Sequence, residues 1–192
     1  MARVKEPPII LTNEWGALPP KEPVTLCGRP TETIYHHTAG HHPEISNPRN
    51  ESFLEARAFA RNIQRFHMFS RERQWNDSGH NFLACRNGML FVGRHKSYTQ
   101  VRQGLMVVSA HCPGHNRSPG IEIEHDGQER MTDIQFEMVS WLYAWIHDRC
   151  GIPGVVIYPH KKFFATSCPG ALLSELSDVK ARVREIRQRG EL

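Results

Sequence analysis

Apolar positions along the chain follow two rhythms, and their alternation predicts a sheet with helices packed on it. From Glu51 to Phe69, Phe53, Ala56, Ala60, Ile63 and His67 recur at steps of three and four, and Phe59 and Phe66 widen the stripe, as in an amphipathic helix. A second helix opens at Thr132-Asp133-Ile134-Gln135, a capping-box pattern, with Ile134, Met138, Trp141, Leu142 and Trp145 on its apolar face. Gly151 stops it and Pro153 follows. A last helix from Ala171 to Arg189 turns Leu172, Leu176, Val179, Val183 and Ile186 inward.

Short runs supply the strands. Thr33 to Thr38 and Val155 to Tyr158 read as buried strands, and Val107-Val108 as a further one. Phe82 to Cys85 and Met89 to Val92 flank Asn87-Gly88, the strongest short hairpin signal, because both residues tolerate positive φ. Gly120 to His125 alternates apolar and acidic residues, the pattern of a half-exposed strand. Gly40 to Asn50 reads as a loop and Arg71 to Gly79 as a polar break. Residues 1–32 carry Pro7, Pro8, Pro19, Pro20, Pro23 and Pro30 and predict an extended arm anchored by Trp15. The division expected is arm 1–32 and domain 33–192, with an α/β fold.

Composition adds bounds. A chain of 192 residues favours one domain, with enough core to fold without a metal or disulfide. Five scattered cysteines argue against a disulfide framework. No apolar run reaches the ~18–20 residues of a membrane span, and the N-terminus lacks a signal-peptide core, so cytoplasmic synthesis is expected. Net charge is +4, with basic residues gathered at Lys180, Arg182, Arg184, Arg187 and Arg189. A solvated helix face is the plainest account. Attraction to an anionic cell wall is another, while a nucleic-acid reading lacks any recognisable module or aromatic-basic interleaving.

The chemistry-bearing residues concentrate in histidine, with 12 in the chain. A catalytic zinc site takes three protein ligands and leaves a fourth position open. His160 ends an apolar strand and Cys168 follows eight residues later in Thr166-Ser167-Cys168-Pro169-Gly170, close enough to share an ion. A third ligand must come from elsewhere, and the pair His36-His37 ends another strand. Cys-x-x-Cys and His-Glu-x-x-His spacings are absent.

These residues resemble a known family, the type 2 N-acetylmuramoyl-L-alanine amidases, which include phage endolysins and the peptidoglycan recognition proteins. The string IYHHTAG at 34–40 is similar to the family's first zinc-ligand motif. Asn76 to Phe82, Asn87-Gly88 to Gly93-Arg94, Ala110-His111 to Ile121, Thr132-x-x-Gln135, and His160 with Thr166-x-Cys168-Pro169-Gly170 resemble its later motifs in order, and Glu14 to Ala17 (EWGA) resembles the lead-in of the recognition proteins. The likeness spans residues 14–173.

The resemblance implies a mixed, mostly parallel sheet flanked by helices and one zinc ion held by His36, His160 and Cys168. His37 would then point to the other side of its strand. It implies hydrolysis of the bond between muramic acid and L-alanine in bacterial peptidoglycan, with Glu122 as general base, His80 assisting and Thr166 supporting the oxyanion. His80 stands where many relatives carry tyrosine. His37, His111 and Asn116 are expected at the substrate, and His41, His42, His115 and His125 at the surface. The expected setting is a monomeric, bacteriolytic phage endolysin, made in the host cytoplasm and acting on the wall after release. The alternative is a peptidoglycan-binding module without turnover, against which the retained Cys168 counts.

Overall fold

A computed structural model describes residues 3–39 and 52–190. In chain order the elements are β1 (Ile9–Ile10), α1 (Thr12–Trp15), β2 (Leu26–Cys27), β3 (Thr33–His37), α2 (Phe53–Phe69), β4 (Phe82–Ala84), β5 (Leu90–Val92), α3 (Ser97–Arg102), β6 (Met106–Val107), β7 (Gly120–Ile123), α4 (Asp133–Cys150), β8 (Ile157–Pro159) and α5 (Leu176–Arg189). Short 3-10 segments occupy His160–Lys162 and Gly170–Glu175. The main sheet runs β1-β5-β4-β7-β3-β8, and every pairing in it is parallel except that of β4 with β5. This is the mixed, mostly parallel α/β fold expected. Among the described residues no helix is long and apolar enough to cross a membrane.

The sheet is covered on both faces. Tyr35, Phe82, Ile121 and Ile123 point to the side of α4 and α5, whose Leu142, Val179 and Val183 complete the larger core. Leu83 and Phe91 point the other way, where Phe59, Ala60 and Ile63 of α2 meet Trp15. The caps follow the sequence. Ser52 accepts from the Glu55 amide at the start of α2, Thr132 accepts from the Gln135 amide at the start of α4, and Gly151 ends α4 at φ +65°. The described part of the arm is more than extended chain. Its β1 adds an edge strand beside β5, and the Trp15 indole N–H donates to the Val92 carbonyl at 3.0 Å.

Several sequence expectations change. The apolar face of α4 is only partly as expected: Leu142 and Trp145 are buried and Met138 and Trp141 half-buried, but Ile134 is exposed, while Gln135, Val139, Tyr143 and Ile146 are also buried. This helix lies against the sheet, α3 and α5, so burial wraps round it and one stripe is not distinguished. Gly120 to Ile123 is not half-exposed. All four residues are buried, because α2 and the histidine cluster cover the acidic face. Val107 pairs with β2 in a separate two-stranded ribbon, and the strand read at Val155 to Tyr158 is an edge strand, Ile157–Pro159, with Val155 and Val156 half-buried. At the hairpin only Gly88 has positive φ. The Gly88 amide donates to the Cys85 carbonyl and the Cys85 amide to the Met89 carbonyl, a three-residue loop ending in a bulge. The loop read at Gly40 to Asn50 lies outside the described residues, as do His41 and His42.

Candidate functional site

Strand register assembles the site. β3 and β7 run in parallel with His36 beside Glu122, and β4 places Leu83 on the other side of Glu122. Side chains in register share a face, so His36 and Glu122 emerge together on the α2 side. β8 flanks β3 and ends at Pro159, which delivers His160 to the same end of the sheet. The chain then turns back. The Lys161 amide donates to the Cys168 carbonyl, and the His37 amide donates to the Cys168 sulfur at 3.4 Å.

His36, His160 and Cys168 each offer a donor atom within 4.8 Å of the others. Cys168 Sγ lies 3.7 Å from His36 Nδ1. A tetrahedral zinc with ordinary Zn–S and Zn–N bonds would require about 3.5 Å between such atoms. His160 Nε2 is buried without a hydrogen-bond partner, an atom with a lone pair or proton still to place. The donor set and its spacing therefore fit zinc.

Electrostatics point the same way. Burial, and then the neighbouring His80, His111 and His160, hold His36 neutral far below the ordinary histidine range. Burial also lowers His80, His111 and His160. Neutral imidazoles are the form that binds a metal. Burial pushes the Cys168 thiol up to about 12, so the metal-free group is a neutral thiol, and a bound cation would supply the charge that makes it a thiolate.

Beside this trio, His80 Nδ1 stands 2.7 Å from Glu122 Oε2. Burial raises Glu122 and lowers His80, and a nitrogen and a carboxylate oxygen this close need one proton between them. His67, from α2, closes the cluster, and the donor atoms of His67, His80 and Glu122 also fall within 4.8 Å. Its Nδ1 accepts from the Gly79 amide at 3.1 Å, so its proton sits on Nε2. That makes His67 a hydrogen-bond donor to the site rather than a metal ligand. The cleft over these groups has a volume of about 170 Å³. Its wall includes Trp75, stacked on His67 at 4.8 Å, and Arg73, whose guanidinium lies 4.7 Å from the Trp75 ring.

The remaining sequence-named residues are placed as follows. Thr166 lines the cleft, and its Oγ1 accepts from the Cys168 amide at 3.2 Å. His37 is among the residues lining the cleft, and its ring packs so close to Gly170 that a Cβ there would lie 2.8 Å from its Nε2. His111 sits against His36 with both ring nitrogens engaged, one by His36 and the other by the Ser118 carbonyl. Asn116 is not at the cleft. Its side chain accepts from the Cys112 amide and shapes the loop before β7. His125 is fully buried rather than at the surface, with its Nδ1 accepting from the Gly127 amide. His115 is half-buried against Glu32. Sequence reasoning missed His67, Trp75 and Arg73 as site residues. His67 followed the helical stripe like a core position, and the 71–79 break hid the aromatic and the cation.

Comparison with known proteins assigns the chain to a family and supports its fold. A family model described as N-acetylmuramoyl-L-alanine amidase matches residues 28–171. The peptidoglycan-recognition protein SC2 of Drosophila melanogaster is 27% identical over 168 residues, 84% of this chain and 80% of that protein. A mouse N-acetylmuramoyl-L-alanine amidase is 28% identical over 167 residues, 84% of this chain but 28% of that protein. Among solved structures, Drosophila PGRP-LB superposes with a TM-score of 0.70 at 28% identity, covering 88% of this chain and 92% of that one. The amidase LysC of Clostridium intestinale shares the fold, with a TM-score of 0.66 at 21% identity over 93% of this chain and 99% of that one. The chain belongs to the N-acetylmuramoyl-L-alanine amidase family.

Proposed function

We propose that this protein is a zinc-dependent amidase that hydrolyses the amide between the lactyl group of muramic acid and the L-alanine of the peptide stem in bacterial peptidoglycan. The observation that carries the reading is the convergence of His36, His160 and Cys168 on one point, directly beside the His80–Glu122 pair. Bound there, zinc would supply a Lewis acid and lower the pKa of a coordinated water.

The chain's own groups do the rest. Glu122, with a raised pKa, takes a proton from the attacking water and returns it to the leaving L-alanine amine. His80 orients that carboxylate through its 2.7 Å contact. The Thr166 hydroxyl, on the cleft wall, is a donor for the developing oxyanion, and one neutral donor contributes less than a cation would. The Trp75 and Arg73 faces bound the cleft and give the peptide stem an apolar wall with a positive rim.

The test is release of L-alanine amino termini from purified peptidoglycan, with and without a chelator. Chelator-sensitive release supports the reading. Binding to peptidoglycan with no release, by a protein loaded with zinc, would make it a recognition module instead.

A further inference from the structure

The proton on His36 is placed by a chain of contacts that begins at a backbone carbonyl. His111 is 5% exposed and rests on Gly120, where a Cβ would lie 2.4 Å from its Cδ2. Its Nε2 is 3.0 Å from the Ser118 carbonyl oxygen, and its Nδ1 is 2.9 Å from His36 Nε2. A carbonyl can only accept, so His111 carries its proton on Nε2 and donates it to Ser118. A buried, neutral imidazole has one such proton, which leaves Nδ1 as an acceptor. His36 must therefore donate from Nε2. Its own lone pair is then on Nδ1, the atom 3.7 Å from the Cys168 sulfur.

The carbonyl at the head of this chain is itself fixed. Ser118 donates from its hydroxyl to Glu32, and its amide donates to the His115 carbonyl. Asn116 holds the preceding turn through the Cys112 amide, and the Gly120 amide just beyond donates to the Asn81 side chain. These contacts flank the Ser118 carbonyl on both sides along the chain.

We propose that His111, aligned by the Ser118 carbonyl, is a positioning residue that fixes the tautomer of His36 so that Nδ1 faces the metal. The inference rests on the zinc reading above and adds a role for residues that do not touch the ion. Partners of this kind orient a ligand imidazole and raise its basicity, and their loss typically costs about 10–100-fold in metal affinity.

The experiment compares His111→Gln with His111→Phe. A glutamine can accept from His36 through its side-chain oxygen and donate to Ser118 through its amide; a phenylalanine can do neither. Metal-free proteins are titrated with Co2+, following the thiolate-to-metal absorption band, and zinc affinity is read by competition with a chromophoric chelator. We expect His111→Phe to bind about 10–100-fold more weakly and His111→Gln to recover most of the loss. Ring nitrogen NMR of metal-free wild type should show His36 protonated on Nε2. Unchanged affinity in His111→Phe, or a His36 proton on Nδ1 in wild type, overturns the proposal. The NMR result stands even if the phenylalanine variant fails to fold. Wild type that binds no metal but shows the Nε2 tautomer would defeat the zinc reading and leave the relay intact.

Discussion

Nδ1 of His80 lies 2.7 Å from Oε2 of Glu122, and both side chains are shut off from solvent. A full ion pair there would carry a heavy desolvation cost, which is why burial drives the two groups toward their neutral forms. A carboxyl whose pKa burial raises, at the edge of the candidate metal site, is suited to accept and return a proton. Glu122→Gln keeps the shape but cannot accept a proton from water. Its rate of amino-terminus release should fall by about 10²–10⁴, the usual worth of a general base, with zinc content unchanged. A variant with near wild-type turnover would remove Glu122 from the reaction.

On the proposed reading, Cys168 links activity to stability. Its thiol sits at about 12 without a metal, so binding an ion must expel a proton, and affinity should rise with pH. At a thousandfold excess of free zinc over Kd the folded state gains about 4 kcal/mol. For a chain of this size that is on the order of 10 °C in Tm. Chelation should lower the melting temperature of wild type by that order and leave Cys168→Ser unmoved. Equal responses in the two proteins would mean that zinc acts elsewhere.

Much of the site was legible because its residues sit at strand ends inside short motifs. His36 follows an apolar run, His160 follows another, and Cys168 stands before Pro-Gly, so a candidate metal trio, whose donor atoms the fold brings within 4.8 Å of one another, could be named before any fold was known. Helix starts were legible for a local reason: Ser52 and Thr132 each cap the amide three residues on. What the sequence hid depends on distant chain. The acidic alternation of Gly120 to His125 gives no sign that α2, some sixty residues earlier, covers it. The task of His111 is set by His36, 75 residues away, and by a carbonyl, which has no side-chain signature at all. The exposed Ile134 on α4 was misread because that helix is buried on several sides and its periodicity is weak.

Trp15 tests whether the arm belongs to the folded unit. It is fully buried against α2 and the sheet, its indole donates to Val92, and the Arg57 guanidinium donates to its carbonyl. Trp15→Ala leaves a large cavity and an unpaired carbonyl, at a cost of about 3–5 kcal/mol. Urea denaturation should show that loss in a single cooperative transition. A loss below 1 kcal/mol would mean the arm is only loosely attached.

Asp77 ties the arm to the site loop and does so through its charge. It is fully buried and accepts from the Ser78 amide, the Gln64 side chain, and both the His95 amide and ring. Gln64 in turn bonds both the amide and the carbonyl of Leu18. Burial alone would raise this carboxyl, but the hydrogen bonds from His95 and Gln64 outweigh it and hold it below the ordinary carboxylate value. A pKa depressed in the folded state means that the unfolded chain binds the proton more readily. The stabilisation is therefore fully present above about pH 4, the unfolded value, and is lost as pH falls through the lower folded one. Asp77→Asn keeps one acceptor but turns an amide toward the His95 donors, at a cost of about 1–3 kcal/mol near neutrality. Its stability should also fall less steeply than that of wild type below pH 4. Parallel acid limbs for the two metal-free proteins, measured by urea denaturation across that range, would show that this carboxylate is not one of the groups through which acid unfolds the chain.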